Sequence, residues 1–339
     1  MNKLSLIALL FLILLSSCGQ EARQEKHSLQ GTALGTTYGI TYLASSALLE
    51  TQAIDSLLYA VNQSMSTYWP QSDISRLNRG EAGIQVESMF KEVFNLSKEV
   101  YTTTAGYFDP TVGTLVNAWG FGPGEALNMT EAKVDSLMTY VGFDQVSLRD
   151  SQINKAFPEI YFDFNAIAKG YTIDRIAILL ERLGLENYLI ELGGELVAKG
   201  ENTLTDKKWL VGIDHPENED RTAPIVLVQL KDRALASSGN YRKFRIDSIT
   251  AQKYVHTIDP LTGYTQNSTT LAASVLAPNC ALADAYATAF MAMGYEKATQ
   301  LVATLKGIDV FLVYVDPKTG VLAQYMSPGF EAEVFKKAL

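Results

Sequence analysis

Asp284 and Thr288 stand four residues apart, so on a helix they share one face and can both present oxygen to a single hard cation. The surrounding Ala281-Leu282-Ala283-Asp284-Ala285-Tyr286-Ala287-Thr288-Ala289 is otherwise small or apolar, and the pair reads either as a cation face or as a packing and hydrogen-bonding pair. Two oxygens leave an octahedral shell incomplete. Magnesium commonly completes it with water and substrate phosphate, so a shell this sparse suits a nucleotide substrate better than a structural ion. A second polar stretch is Asp163-Phe164-Asn165-Ala166-Ile167-Ala168-Lys169-Gly170. Asn165 there can cap a following helix, and a helix start attracts phosphate, with Lys169 as a point charge beside it. Asp163 is either part of such a site or a simple cap. His256, in Tyr254-Val255-His256-Thr257-Ile258-Asp259-Pro260, falls near a strand end, where an imidazole can serve as general base, donate to an oxyanion or support structure. The other two histidines, His27 and His215, sit in polar surroundings and are expected to be solvated.

Aromatic and glycine clusters supply a different signal. Phe108-Asp109-Pro110-Thr111-Val112-Gly113 and Trp119-Gly120-Phe121-Gly122 place glycines beside aromatic rings, which suits close approach to a planar ligand or a tight turn plugged by aromatics. Met65-Ser66-Thr67-Tyr68-Trp69-Pro70 followed by Ser72-Asp73-Ile74-Ser75-Arg76-Leu77-Asn78 reads by itself as a surface loop. There is no GxxxxGK[ST] loop, no GxGxxG, no HExxH and no CxxC, so the standard nucleotide and zinc sites are not expected.

Positioning these residues requires a mixed framework. Apolar residues at helical spacing predict helices over 46–64, 88–104, 131–141, 166–183, 280–293 and 296–306. Runs rich in β-formers predict strands over 31–43, 188–192, 209–214, 225–230, 234–238, 253–258, 271–276 and 309–315, with Gly35 marking a close backbone approach in the first. Helices and strands do not alternate as βαβ units, which favours α+β over a doubly wound sheet, in one compact unit.

Composition bounds the possibilities further. The 339 residues are 47% hydrophobic and 19% charged, ample for a large core, and the formal net charge of −9 argues against a nucleic-acid partner. Lys3, the apolar run 4–15 and then Ser16-Ser17-Cys18 have the form of a signal peptide over 1–17, too short for an ordinary membrane span. Leu15-Ser16-Ser17-Cys18 resembles a bacterial lipobox, which makes Cys18 the lipidated first residue of the mature chain and 18–30 a polar tether before the domain at 31–339. Cys280, the one other cysteine, reads as a small buried residue.

In order along the chain, Gly35-Thr36-Thr37-Tyr38, the MSTYWP and SDISRLN segments, FDPTVG with WGFG, DFNAIAKGY, ELGGE, SSGNYR, HTIDPLTG and ADAYATA closely resemble the ApbE family of FAD:protein FMN transferases. The resemblance implies an α+β fold with FAD in a cleft. It implies magnesium held by the Ala166 carbonyl, the Asp284 carboxylate and the Thr288 hydroxyl. FAD contacts would come from Tyr68, Trp119, Gly120, Phe121, Asp163, Lys169, Thr257 and Ile258. Leu34 stands where the family often has Met, and Asn240 where many members have Asp. The implied reaction moves FMN from FAD to a Thr or Ser hydroxyl of a client protein, with His256 as base, Asp259 orienting it and Lys169 assisting. Implied clients are membrane subunits of respiratory electron-transfer complexes, met by an enzyme anchored to a bacterial membrane and facing the periplasm. Hydrolysis of FAD to FMN and AMP, and flavin binding without turnover, are the alternative readings, while a two-lobed solute-binding lipoprotein would require βαβ lobes.

Overall fold

The computed structural model describes residues 23–214, 224–239, 244–246, 253–265 and 269–337. The segment 1–17 expected to be a signal peptide, with Cys18, His215 and Asn240, lies outside the described residues.

Strands buried at alternate positions near one edge, and in continuous runs where both faces are covered, assemble an eight-stranded antiparallel sheet. Its order is Glu25–Ala33, Thr36–Ala44, Tyr188–Leu192, Glu195–Lys199, Arg233–Gly239, Thr270–Ala277, Asp309–Val315 and Leu322–Met326. In Tyr188–Leu192, for example, Tyr188, Ile190 and Leu192 are buried and the residues between them are not.

One face of this sheet carries the helix Cys280–Met293, which lies on Arg233–Gly239 and Thr270–Ala277 and packs against the helix Ala168–Arg182. The alanines of Cys280–Met293 explain its near-complete burial: small side chains let a helix sink between a sheet and its neighbours. Helices Thr51–Met65 and Ser88–Thr103 complete that layer and share its core. The opposite face meets a three-stranded sheet of Val334–Lys337, Pro224–Leu230 and Trp209–Asp214. Trp209, Val228, Leu235, Leu276 and Phe311 fill the second core between the two sheets. The result is the α+β unit expected from sequence.

Three local expectations are corrected. The segment 31–43 is not one strand but part of a hairpin, Glu25–Ala33 paired with Thr36–Ala44, turning at Leu34 and Gly35 with φ of 50° and 76°. From Glu25 the segment expected to be a polar tether is an edge strand instead. His27, on that strand, stacks on Tyr42 at 5.2 Å between ring centroids, and its Nε2 donates to the Ala44 carbonyl at 3.3 Å, so it is not simply solvated. Asp73–Asn78 is a short helix rather than a loop. Ser72 Oγ accepts from the Ser75 N–H at 3.1 Å, and Ile74 and Leu77 are buried, a pattern too brief for periodicity to show.

Candidate active site

A cleft of about 740 Å³ opens beside the start of the Ala168–Arg182 helix. Asp284 and Thr288 face it from the Cys280–Met293 helix, and Ala166 and Lys169 face it from the opposite wall, so all three oxygen donors expected for a cation line one space. Asp284 is buried, and its Oδ2 accepts the Gly170 N–H at 3.1 Å. Burial pushes its carboxyl well above the usual range; the nearby Lys169 opposes that shift and the Glu195 carboxylate adds to it. A cation would relieve the same penalty. Among the described residues no three His, Cys, Asp or Glu side chains gather as a metal cluster, so the donor set is oxygen-only and sparse. That set fits a hard cation that shares its shell with substrate phosphate.

The two helices touch closely for a simple reason. A Cβ at Gly170 would stand 2.2 Å from the Cys280 carbonyl oxygen, so only glycine permits this crossing. Lys169 donates to Glu195 Oε1 on the cleft floor. Glu195 is 2% exposed, and its Oε2 has no hydrogen-bond partner among the described residues. The Lys169 charge is therefore engaged by a buried carboxylate at the cleft. The segment leading into the helix is held from outside the cleft. Asn78 Nδ2 donates to the Phe162 carbonyl at 2.9 Å while its Oδ1 accepts the Phe162 N–H at 2.7 Å, immediately before Asp163. Lys155 Nζ adds bonds to the carbonyls of Leu77, Pro158 and Ile160. Asp163 lines the cleft and accepts the Asn165 N–H at 2.7 Å.

A model of the ApbE family matches residues 34–312. The chain belongs to the ApbE family. A relative from Vibrio cholerae, named FAD:protein FMN transferase, is 35% identical over 322 residues, covering 91% of this chain and 92% of the relative. The Haemophilus influenzae protein of the same name is 33% identical over 322 residues, with 91% of each chain covered. The solved flavin transferase ApbE from Vibrio cholerae matches with a TM-score of 0.80 at 31% identity, covering 92% of this chain and 100% of that one.

For an ApbE-family cleft, most of the anticipated residues converge. Leu34 lines it from the hairpin tip, with Tyr68, Phe121, Asp163, His256, Thr257 and Ile258 around it. Tyr68 is 65% exposed at the mouth; what burial it has raises its phenol, with the Asp163 carboxylate adding to the shift. Four expected residues stand elsewhere. Trp119 does not line the cleft: its ring is buried with Leu115, Val134 and Ile258, and its Nε1 donates to the Gly263 carbonyl at 2.9 Å. Gly120, at φ 82°, makes the turn after it, and Phe121 is the one of the three that faces the cleft. Asp259 is likewise outside the lining. Its Oδ1 accepts the Leu261 N–H at 2.9 Å and its carbonyl accepts the Gly263 N–H at 2.8 Å, so its side chain caps its own turn. Asn165 does not cap the helix, which begins at Ala168 after Ile167 with no side-chain cap.

Sequence reasoning passed over Glu195 and Asp109. Asp109 is buried with Oδ1 accepting from the Thr111 N–H and hydroxyl and Oδ2 from the Phe143 N–H; burial raises its carboxyl to about 6. Glu195 carried one usable signal, a charged residue opening the apolar strand Glu195–Lys199 directly after a Gly-Gly turn.

Proposed function

We propose that this chain is an FAD:protein FMN transferase that moves FMN from FAD to a Thr or Ser hydroxyl of a client protein and releases AMP. The observation that carries this reading is the convergence of Ala166, Asp284 and Thr288 with Lys169, His256 and the apolar wall of Leu34, Phe121 and Ile258 in one cleft. Its two ends match the two halves of the task, a polar floor for phosphates and an apolar wall for a flat ring.

The Ala166 carbonyl, the Asp284 carboxylate and the Thr288 hydroxyl would hold magnesium. When bound, it supplies Lewis-acid charge to the phosphoryl oxygens. Lys169, oriented by Glu195, adds positive potential beside them. His256 accepts the proton of the client hydroxyl at a ring nitrogen as that oxygen forms its bond to the FMN-side phosphorus. The bond from that phosphorus to the bridging oxygen breaks, and its electron pair leaves with AMP. Leu34, Phe121 and Ile258 hold the isoalloxazine ring, and Tyr68 covers the mouth. By the same reading Cys18 carries the lipid anchor, the domain faces the periplasm, and the clients are membrane subunits of respiratory electron-transfer complexes.

The test incubates the protein with FAD, magnesium and a client peptide, then weighs the peptide. A peptide heavier by one FMN, with AMP released, is the expected result, lost in His256→Asn and in Asp284→Ala. Free FMN beside an unmodified peptide would make the protein an FAD hydrolase instead.

A further inference from the structure

Asp174 is a half-buried carboxylate one helical turn beyond the cleft, and no part of the proposed reaction uses it. It sits on the Ala168–Arg182 helix, and both of its oxygens reach across to the first turn of the neighbouring helix. Oδ1 accepts the Cys280 N–H and Oδ2 accepts the Ala281 N–H, each at 2.8 Å. The start of Cys280–Met293 already has its own cap, since Asn279 Oδ1 accepts the Leu282 N–H at 2.9 Å. Asp174 therefore does something a local cap does not: it ties one helix to the other. Charge-assisted bonds to a helix N-terminus are among the stronger hydrogen bonds available, and the negative charge complements the helix dipole there.

The tie has a second point. From the same helix as Asp174, and four residues before it, the Gly170 N–H bonds Asp284 Oδ2 at 3.1 Å, at the close crossing that leaves no room for a Cβ. The two helices are the two sides of the oxygen site. One follows directly from Ala166; the other carries Asp284 and Thr288. Two bonds near one end and one a turn further on set both the separation of the helices and the rotation of Cys280–Met293 about its axis.

We infer that Asp174 is a positioning residue for the cation site: its two bonds to the Cys280 and Ala281 N–H groups set the reach between the Ala166 carbonyl and the Asp284/Thr288 face. This inference rests on the cation reading of those three donors. A carboxylate that orients metal ligands from behind is worth 10- to 100-fold in metal affinity in well-studied sites, which sets the size of the effect.

The experiment titrates Mn²⁺ into the purified protein by calorimetry and by electron paramagnetic resonance of free Mn²⁺, without client and both with and without saturating FAD, for the natural chain, Asp174→Asn and Asn279→Ala. Asp174→Asn keeps the size and one acceptor but sets an NH2 group against the other N–H. Asn279→Ala removes a cap from the same helix start without touching the tie, so it controls for simple loss of helix stability. The expected result is Mn²⁺ affinity weakened about tenfold or more in Asp174→Asn and within twofold of the natural chain in Asn279→Ala, although both lower the Tm. Equal affinity in the natural chain and Asp174→Asn would overturn the inference while leaving the cation site standing, as would equal weakening in both variants. No Mn²⁺ binding by the natural chain, with FAD present as well as without it, would overturn the cation reading, and the inference with it.

Discussion

Gly170→Ala sets two effects of opposite sign against each other. In the interior of a helix, alanine is favoured over glycine by about 1 kcal/mol, so propensity alone makes the variant more stable. The added methyl, however, would meet Cys280 O at 2.2 Å, Cys280 C at 2.6 Å and Ala281 Cα at 2.9 Å, all backbone atoms that cannot rotate away. Reaching ordinary contact at 3.4 Å requires the helices to part by 3.4 − 2.2 = 1.2 Å. Forcing a well-packed interior apart costs about 1–3 kcal/mol, and the Gly170 N–H bond to the buried Asp284 carboxylate, stretched by the same movement, adds about 1.5 kcal/mol. The clash outweighs propensity, leaving a net loss of about 2.5 kcal/mol and a Tm lower by roughly 5 °C. Because the same movement carries Asp284 and Thr288 away from Ala166, FMN transfer should fall by about 100-fold, the usual consequence of displacing a reacting geometry by an ångström. Differential scanning calorimetry and a single-turnover transfer assay read the two quantities. A Tm at or above that of the natural chain, with transfer within twofold, would refute the claim that Gly170 sets the helix spacing.

Three further outcomes are expected. Asn78→Ala removes both bonds to the Phe162 backbone and should cost about 1–3 kcal/mol and raise the KM for FAD about tenfold, since Asp163 follows directly; an unchanged KM would show that the segment holds itself. Leu34 occupies φ 50°, a conformation that costs a branched side chain about 1 kcal/mol, so Leu34→Gly should leave the Tm nearly unchanged while weakening FAD binding, measured by flavin fluorescence; a large Tm loss would contradict this. Burial raises Asp109 and Asp174 to about 6 from 3.8, and a carboxyl raised on folding contributes stability that is full below about pH 4 and lost as pH rises through about 6. That is up to about 3 kcal/mol for each group. Without added metal, Tm should fall between pH 4.5 and 7, and Asp109→Asn should flatten the fall. Superimposable profiles for the two proteins would overturn the assignment.

The elements that were legible in the sequence are those whose signal is local and long. The strands at Tyr188–Leu192, Trp209–Asp214 and Asp309–Val315 and the helix Cys280–Met293 fall where β-forming runs or helical spacing placed them. The hairpin at Leu34 was not legible, because Glu25–Ala33 is an edge strand whose polar residues resemble a linker and whose turn places a leucine at positive φ. Asp73–Asn78 was missed because six residues hold less than two turns. Trp119 was misplaced for a different reason: an aromatic beside glycines packs equally well against a ligand or against a neighbouring loop, and only the Gly263 carbonyl decides which.

Buried carboxylates show most clearly what spacing cannot supply. Asp109, Asp174 and Asp284 each stand among apolar residues, and nothing in their local sequence ranks them. Their partners do. Asp109 accepts three donors from Thr111 and Phe143, and Asp174 accepts two backbone N–H groups, one at each oxygen, so both oxygens of each carboxylate are engaged by the protein itself. Asp284, of the hydrogen bonds described, accepts one backbone N–H, from Gly170, while the same side chain lines the cleft. An ionised carboxylate has about four acceptor positions. Of the two cleft carboxylates with an oxygen left without a protein donor, Glu195 is already paired with Lys169, so Asp284 is the one a cation can complete, whereas those with both oxygens engaged hold the walls. By that criterion Asp284 separates from Asp109 and Asp174 without reference to any relative, and the Asp284/Thr288 spacing gains the physical support that a four-residue interval alone did not have.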